Sequence, residues 1–230
     1  MSRYSSAEEV QKEHVDTLGP DLGPVYHALY NECAWLHIKW HQFLVLYCTK
    51  PERIELLNRS AGLFFRIIQD TLWEDTLLHV ARLTDQPRSM GKDNLTIQRL
   101  PPLISDSAFR DDIQRLVTAA IDITAFARDW RNKHIAHRDL ALALKEGPKK
   151  LPPASRSQVK EALQAVSRVL QRISEFYFKS EIRFDMVSEP NDAETLLYVI
   201  RDGVEAEERR MQRLREGKIE PEDIQRPREV

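Results

Sequence analysis

Nine consecutive residues, Arg131 to Asp139, read RNKHIAHRD, and no other stretch of the chain is as dense in groups able to hold a phosphate or move a proton. Arginine offers a fixed charge and a two-pronged donor to phosphate oxygens, while histidine titrates near neutrality and can act as base or acid. Cutting RNA without a metal needs a base for the 2′-hydroxyl, an acid for the departing 5′-oxygen and a cation for the pentavalent phosphorane. One histidine per chain is thin for both proton steps. A twofold homodimer would place two histidines and two arginines in a single cleft. The plainer alternative is a set of ion pairs near a helix end, where the helix dipole favours cations.

Positioning falls to the helix that carries this stretch, which the pattern predicts to start near Ser105 or Ser107 and to run unbroken through the motif. At roughly 100° per residue, Arg131, His134 and His137 form one inclined ridge. The apolar stripe Ile113, Leu116, Val117, Ala120, Thr124 and Ala127 runs into Arg131, and the row Ile123, Trp130 runs into His137. The charged ridge thus prolongs a packing face and needs a partner, because unpaired charge taken out of water is costly. Which of His134 and His137 faces a cleft depends on where the helix ends.

The rest of the chain reads as helical scaffold. Ser5 with Glu8 suggests a capping box for a short helix to Leu18, which Gly19, Pro20 and Gly23 end. A strongly apolar helix follows from Pro24 to Tyr47. Thr49 and Glu52 then frame a long, uninterrupted helix from Pro51 to Leu83. Inside its apolar face, Asp75 calls for a cation, with Arg131 and Arg82 as the candidates, or else points into water. Asp85 to Asn94 is a polar loop, with Asn94 a candidate cap. Ser155 and Gln158 open another helix, whose apolar positions Val159, Leu163, Val166, Leu170, Ile173 and Tyr177 form a regular seam. A last helix from Asp192 grades into dense mixed charge and a frayed tail.

Composition narrows the function classes. With 230 residues, of which 42% are hydrophobic and 30% charged, the chain is an ordinary globular one and not a disordered one. A net charge of -2 means that attraction to nucleic acid would come from a local patch. Cys33 and Cys48 lack metal-ligand spacing and read as small core residues in a reducing, cytoplasmic setting. No signal peptide or membrane span is expected. Phosphate-cradling glycine loops, dinucleotide fingerprints and nucleophile elbows are missing. His37 with His41, or His134 and His137 with Asp139, could ligate a metal. Hydrogen-bonded core histidines and the repulsion of adjacent arginines argue against each, so no metal or other cofactor is expected.

Arg131, Asn132 and His137, with five residues between the arginine and the histidine, resemble the signature of the HEPN superfamily. The full string RNKHIAHRD, with the upstream DTLLHVARLTD from Asp75 to Asp85, is similar to the branch associated with bacterial abortive infection, over about residues 20 to 180. The resemblance implies an all-α, multi-helix bundle with long helices that dimerises through the motif-bearing helix. The domain would occupy residues 20–190, after an N-terminal helix at 1–18 and before a charged helix and tail at 191–230. It implies a metal-independent endoribonuclease in phage defence or a toxin–antitoxin system, with RNA, a second copy and an antitoxin or other protein as partners. By the same resemblance Arg131 would hold phosphate, His137 would handle the proton and Asn132 would orient one of them. Lys133, His134, Arg138, Asp139 and Asp75 are expected in supporting positions. The superfamily also contains non-catalytic modules that bind RNA or protein.

Overall fold

Ser6 opens the first helix in the computed structural model, one residue later than expected: its hydroxyl accepts from the Glu9 amide at 3.1 Å and its own amide donates to the Glu9 carboxylate at 2.8 Å. The structure describes residues 6–89, 91–135, 144, 153–186 and 191–224. Helix α1, Ala7–Tyr47, is two helices in sequence, broken at Gly19, whose φ of 85° and ψ of 173° lie outside the helical region. Glycine reaches that backbone state without steric cost, and Pro20 is tolerated because a new first turn has no use for its missing N–H. The break folds the N-terminal segment back on the remainder of α1. A Cβ at Gly23 would stand 2.6 Å from the Cα of Val15.

Helix α2, Pro51–Leu83, is not uninterrupted. Ala61 has φ -151° and ψ 63°, within the run Ser60-Ala61-Gly62, and small residues of this kind are where helices bend sharply. Thr49 does not cap it, since its hydroxyl donates to the Leu44 carbonyl at 2.9 Å. After α2 the chain makes a two-residue antiparallel ladder, Arg88–Ser89 against Lys92–Asp93, and two short 3₁₀ turns. Thr96, not Asn94, caps the first of these turns. Helix α3, Ser107–Ile123, is capped by Asp106, and α4, Ala125–Trp130, leads into a π-helical turn at Arg131–Ile135. Helix α5, Arg156–Tyr177, opens on the expected Ser155 and Gln158 box. Helix α6, Ala193–Arg215, is capped by Asp192, and a short α7, Pro221–Ile224, follows it. Among the described residues the architecture is all-α apart from the small ladder, and no helix is long and apolar enough to cross a membrane.

These elements group into two units, Met1–Trp40 with Leu72–Val187 and His41–Thr71 with Ser188–Val230. In the first, Tyr26, Leu29, Leu77, Ile113, Leu170 and Ile173 are fully buried, each worth about 1.5–3 kcal/mol of transfer free energy. The α5 seam is buried from Val159 to Ile173, and α5 packs against α3. There Phe109 stacks on Phe176 with centroids 3.9 Å apart, and Arg172 donates to Asp112 at 2.7 Å. Two buried polar groups of α1 meet one hydroxyl of α5: His37 Nε2 lies 2.8 Å from Ser167 Oγ, and Cys33 Sγ lies 3.5 Å from the same hydroxyl. In the second unit the Tyr47 hydroxyl donates to the Phe65 carbonyl at 2.8 Å, and Arg53 and Arg59 pair with Glu194 and Glu208 of α6. Arg213 of α6 donates to Asp223 of α7 at 2.9 Å, and the last residues of the expected frayed tail lie outside the described residues.

Candidate active site

The motif does not ride on one straight helix. At Thr124 the backbone leaves helical geometry, and the threonine hydroxyl donates back to the Ala120 carbonyl at 2.7 Å, an i−4 bond that bends helices. The same hydroxyl lies 3.0 Å from Thr84 Oγ1 at the end of α2. Arg128 closes this joint: Nη1 reaches Thr84 and Thr124 at 3.0 Å each, and Nη2 reaches the Ile121 carbonyl at 2.6 Å. Burial pulls the Arg128 pKa below the ordinary arginine value; Asp85 opposes the shift and Arg131 adds to it. The one sign of Arg128 in the sequence is its place four residues after Thr124 on the same helical face.

Beyond Trp130 the chain widens into the π turn, a form that recurs at functional sites. The expected ridge of Arg131 and His134 is therefore split. The Arg131 guanidinium pairs with Asp85 through Nη1, with 22% and 24% of the two side chains exposed, and Nε donates to Asn132 Oδ1 at 3.0 Å. Nη2 has no hydrogen-bond partner among the described residues. His134 turns instead to Glu74, 3.5 Å from Nε2, and packs edge-on to Trp130 with centroids 5.4 Å apart. Glu74 lies nine residues before the last residue of α2, about 13 Å of helical rise. Lys133 donates to Asp129 at 2.8 Å, one turn back on its own segment. His137, Arg138 and Asp139 lie outside the described residues.

Asp75 is not the carboxylate that holds Arg131. It pairs with Lys39 of α1, because it stands on a different side of α2 from its neighbour Glu74, which meets His134 of the motif. Asp85 takes the place foreseen for Asp75, from just past the helix end. Its backbone is pinned there by two donors to its carbonyl, Thr96 Oγ1 and Gln98 Nε2, each at 2.8 Å. Arg99 ties the same loop to the Asn94 and Pro87 carbonyls at 2.5 and 2.7 Å. The signal for Asp85 was present in the sequence, since it closes the string DTLLHVARLTD, but its reach to Arg131 is set by the returning loop.

His37 and His14 take structural positions. His37 is buried against Ser167 and Phe184, and burial, opposed by Asp185 and the Leu163 carbonyl, lowers its pKa to about 4. His14 is likewise pushed down to about 4 by burial and by the neighbouring His27, whose Nδ1 lies 3.1 Å away. Among the described residues no group of three or more His, Cys, Asp or Glu side chains is arranged to hold a metal ion. The thiol of Cys33 is buried and its pKa is pushed up to about 12, mainly by that burial, whereas Cys48 is only half-buried.

What the arrangement can do follows from the Arg131 fork: one arm is fixed by a carboxylate, the stem is fixed by an amide oxygen, and the other arm can receive a phosphate oxygen. Across residues 20–196 the chain matches the family model HEPN_AbiU2, described as AbiU2. No curated protein and no solved structure matches it.

Proposed function

The chain belongs to the AbiU2 family of the HEPN superfamily, in the branch associated with abortive infection, and from that premise we propose that it is a metal-independent endoribonuclease. The observation that carries this reading is the Arg131 guanidinium, held by Asp85 and Asn132 with Nη2 unpartnered among the described residues. In the proposed reaction one His137 removes the proton of the 2′-hydroxyl, whose oxygen attacks phosphorus. The P–O5′ bond breaks, and His137 of a second copy protonates the leaving oxygen. The products are a 2′,3′-cyclic phosphate and a free 5′-hydroxyl. Arg131 stabilises the charge that builds on the non-bridging oxygens, and Asn132 positions Arg131. A twofold dimer supplies both proton carriers. The role is in defence against phage or as a toxin under the control of a partner.

Arg131→Ala and His137→Ala are expected to fold normally and to lose cleavage of single-stranded RNA, whereas chelator leaves the wild type unaffected. End-group analysis of the products should find cyclic phosphate. Undiminished cleavage in both variants, or none by the wild type, overturns the proposal. The pairing of Arg131 with a carboxylate of its own chain favours one rival, a non-catalytic module that binds RNA or protein, and this rival yields no cyclic phosphate.

A further inference from the structure

Beside Asp85 opens a cavity of about 320 Å³, lined by Glu32, Arg82, Asp85, Asp93, Asn94 and Leu95. Two of its three carboxylates are already engaged: Asp85 with Arg131 and Asp93 with Arg99 at 2.8 Å. Glu32 is engaged on one side only: its Oε2 lies 2.8 Å from Nε2 of His79, a residue 1% exposed, and among the described residues the His79 ring nitrogens complete no hydrogen bond and Oε1 has no partner. The Asn94 amide nitrogen is used by the Gln86 carbonyl at 2.8 Å and Ser89 Oγ at 3.0 Å, which leaves Oδ1 as an acceptor. Arg82 is exposed and makes no ion pair among the described residues. Leu95, 40% exposed, adds an apolar wall. The cavity therefore offers carboxylate and amide acceptors, a cation without an ion-pair partner among the described residues and an apolar side chain, next to the arginine proposed to hold phosphate.

We infer that this cavity receives a guanine base of single-stranded RNA, with Glu32 as the residue that reads it; the inference rests on the nuclease reading only for the phosphate that Arg131 would hold nearby. A carboxylate has acceptors alone, so it selects a base edge made of donors. Among the four bases, guanine presents two adjacent donors, N1–H and the 2-amino group, which match Oε1 of Glu32 and the lone pair of Oε2 that His79 leaves. Single-stranded RNA exposes that edge for reading. Arg82 meets a neighbouring phosphate, and Leu95 meets the face of the base.

The test uses the full-length chain and oligoribonucleotides with one guanosine in a run of uridines and adenosines, beside copies with inosine, which lacks the 2-amino group. A two-pronged pair of this kind discriminates on the order of tenfold to a hundredfold. The wild type should cut the guanosine strand faster than the inosine strand by that factor, and Glu32→Gln should cut both alike. His137→Ala should keep the preference in a fluorescence-anisotropy binding assay. Cleavage with no difference between guanosine and inosine sinks the guanine pocket and leaves the nuclease standing. Preferential binding of guanosine without any cleavage does the reverse. Neither cleavage nor preference removes both. Free GMP should compete only far above the oligonucleotide concentration, and tighter binding of GMP than of the strand overturns the assignment to RNA.

Discussion

Arg131 and Asp85, 46 residues apart in sequence, form an ion pair that ties the motif to the loop after α2. Asp85 is itself held by Thr96 and Gln98, so the direction of the guanidinium is decided by a loop that carries no motif residue. Asp85→Ala should release Arg131 and lower both stability and cleavage. A pair this far out of water is worth between the surface and buried limits, about 1–3 kcal/mol. Urea unfolding measures the first effect and RNA cleavage the second. Asp85→Asn keeps a hydrogen-bond acceptor and should restore part of the cleavage. Wild-type cleavage by Asp85→Ala would show that the pair does not position Arg131.

The joint between α3 and α4 depends on Arg128. Arg128→Met keeps the apolar stem but removes the donors that join Thr84, Thr124 and the Ile121 carbonyl. Hydrogen bonds from a charged group are worth about 1.5–3 kcal/mol, and these three share one group and so do not add. A loss of about 2–3 kcal/mol should appear as a lower urea midpoint. A midpoint equal to that of the wild type would mean the bend at Thr124 stands without it.

At Gly23 the two parts of α1 come close together. A methyl group there would meet Val15 Cα at 2.6 Å and the His14 carbonyl oxygen at 2.9 Å, both backbone atoms that cannot swing aside. Gly23→Ala should therefore destabilise by about 1–3 kcal/mol. Gly203→Ala, in α6 with nothing within 4 Å, should be neutral or stabilising by up to about 1 kcal/mol. Thermal denaturation of the two variants side by side checks the contrast, and equal melting temperatures would contradict it.

Acid should unfold the protein through its buried histidines. His14 and His37 have folded pKa values of about 4, below the unfolded value of 6.5, so the unfolded chain takes up protons first as the pH falls. Their contribution is whole above pH 6.5 and is lost on the way down to about 4. At pH 5 each accounts for about 2 kcal/mol at most. His79 moves in the same direction, chiefly through burial. Urea midpoints measured between pH 7 and 5 should fall, and His37→Gln should flatten the slope. A slope unchanged in that variant would show that His37 ionises freely in the folded state.

Periodic burial was legible from the residues alone. The seam Val159, Leu163, Val166, Leu170 and Ile173 is buried as its spacing required, and so is the row Ile113, Val117, Ala120 and Ala127. The Ser155 box was legible too, because a cap is a local contact between neighbours in sequence. The breaks at Ala61 and Thr124 were not. A hydrophobic period averages over several turns and is blind to one residue whose φ and ψ depart from the helix.

By itself, then, the sequence determined the all-α class and the family, and singled out the nine residues to which the proposed function is assigned, since each is written in local spacing and residue type. Tertiary structure decided which carboxylate meets Arg131, that His134 turns to Glu74 instead, and that a cavity opens beside Asp85. Those outcomes depend on a widened turn and on a loop returning from α2. The contacts that decide them, Arg131 with Asp85 and His134 with Glu74, join residues at least 46 positions apart, beyond the reach of local spacing.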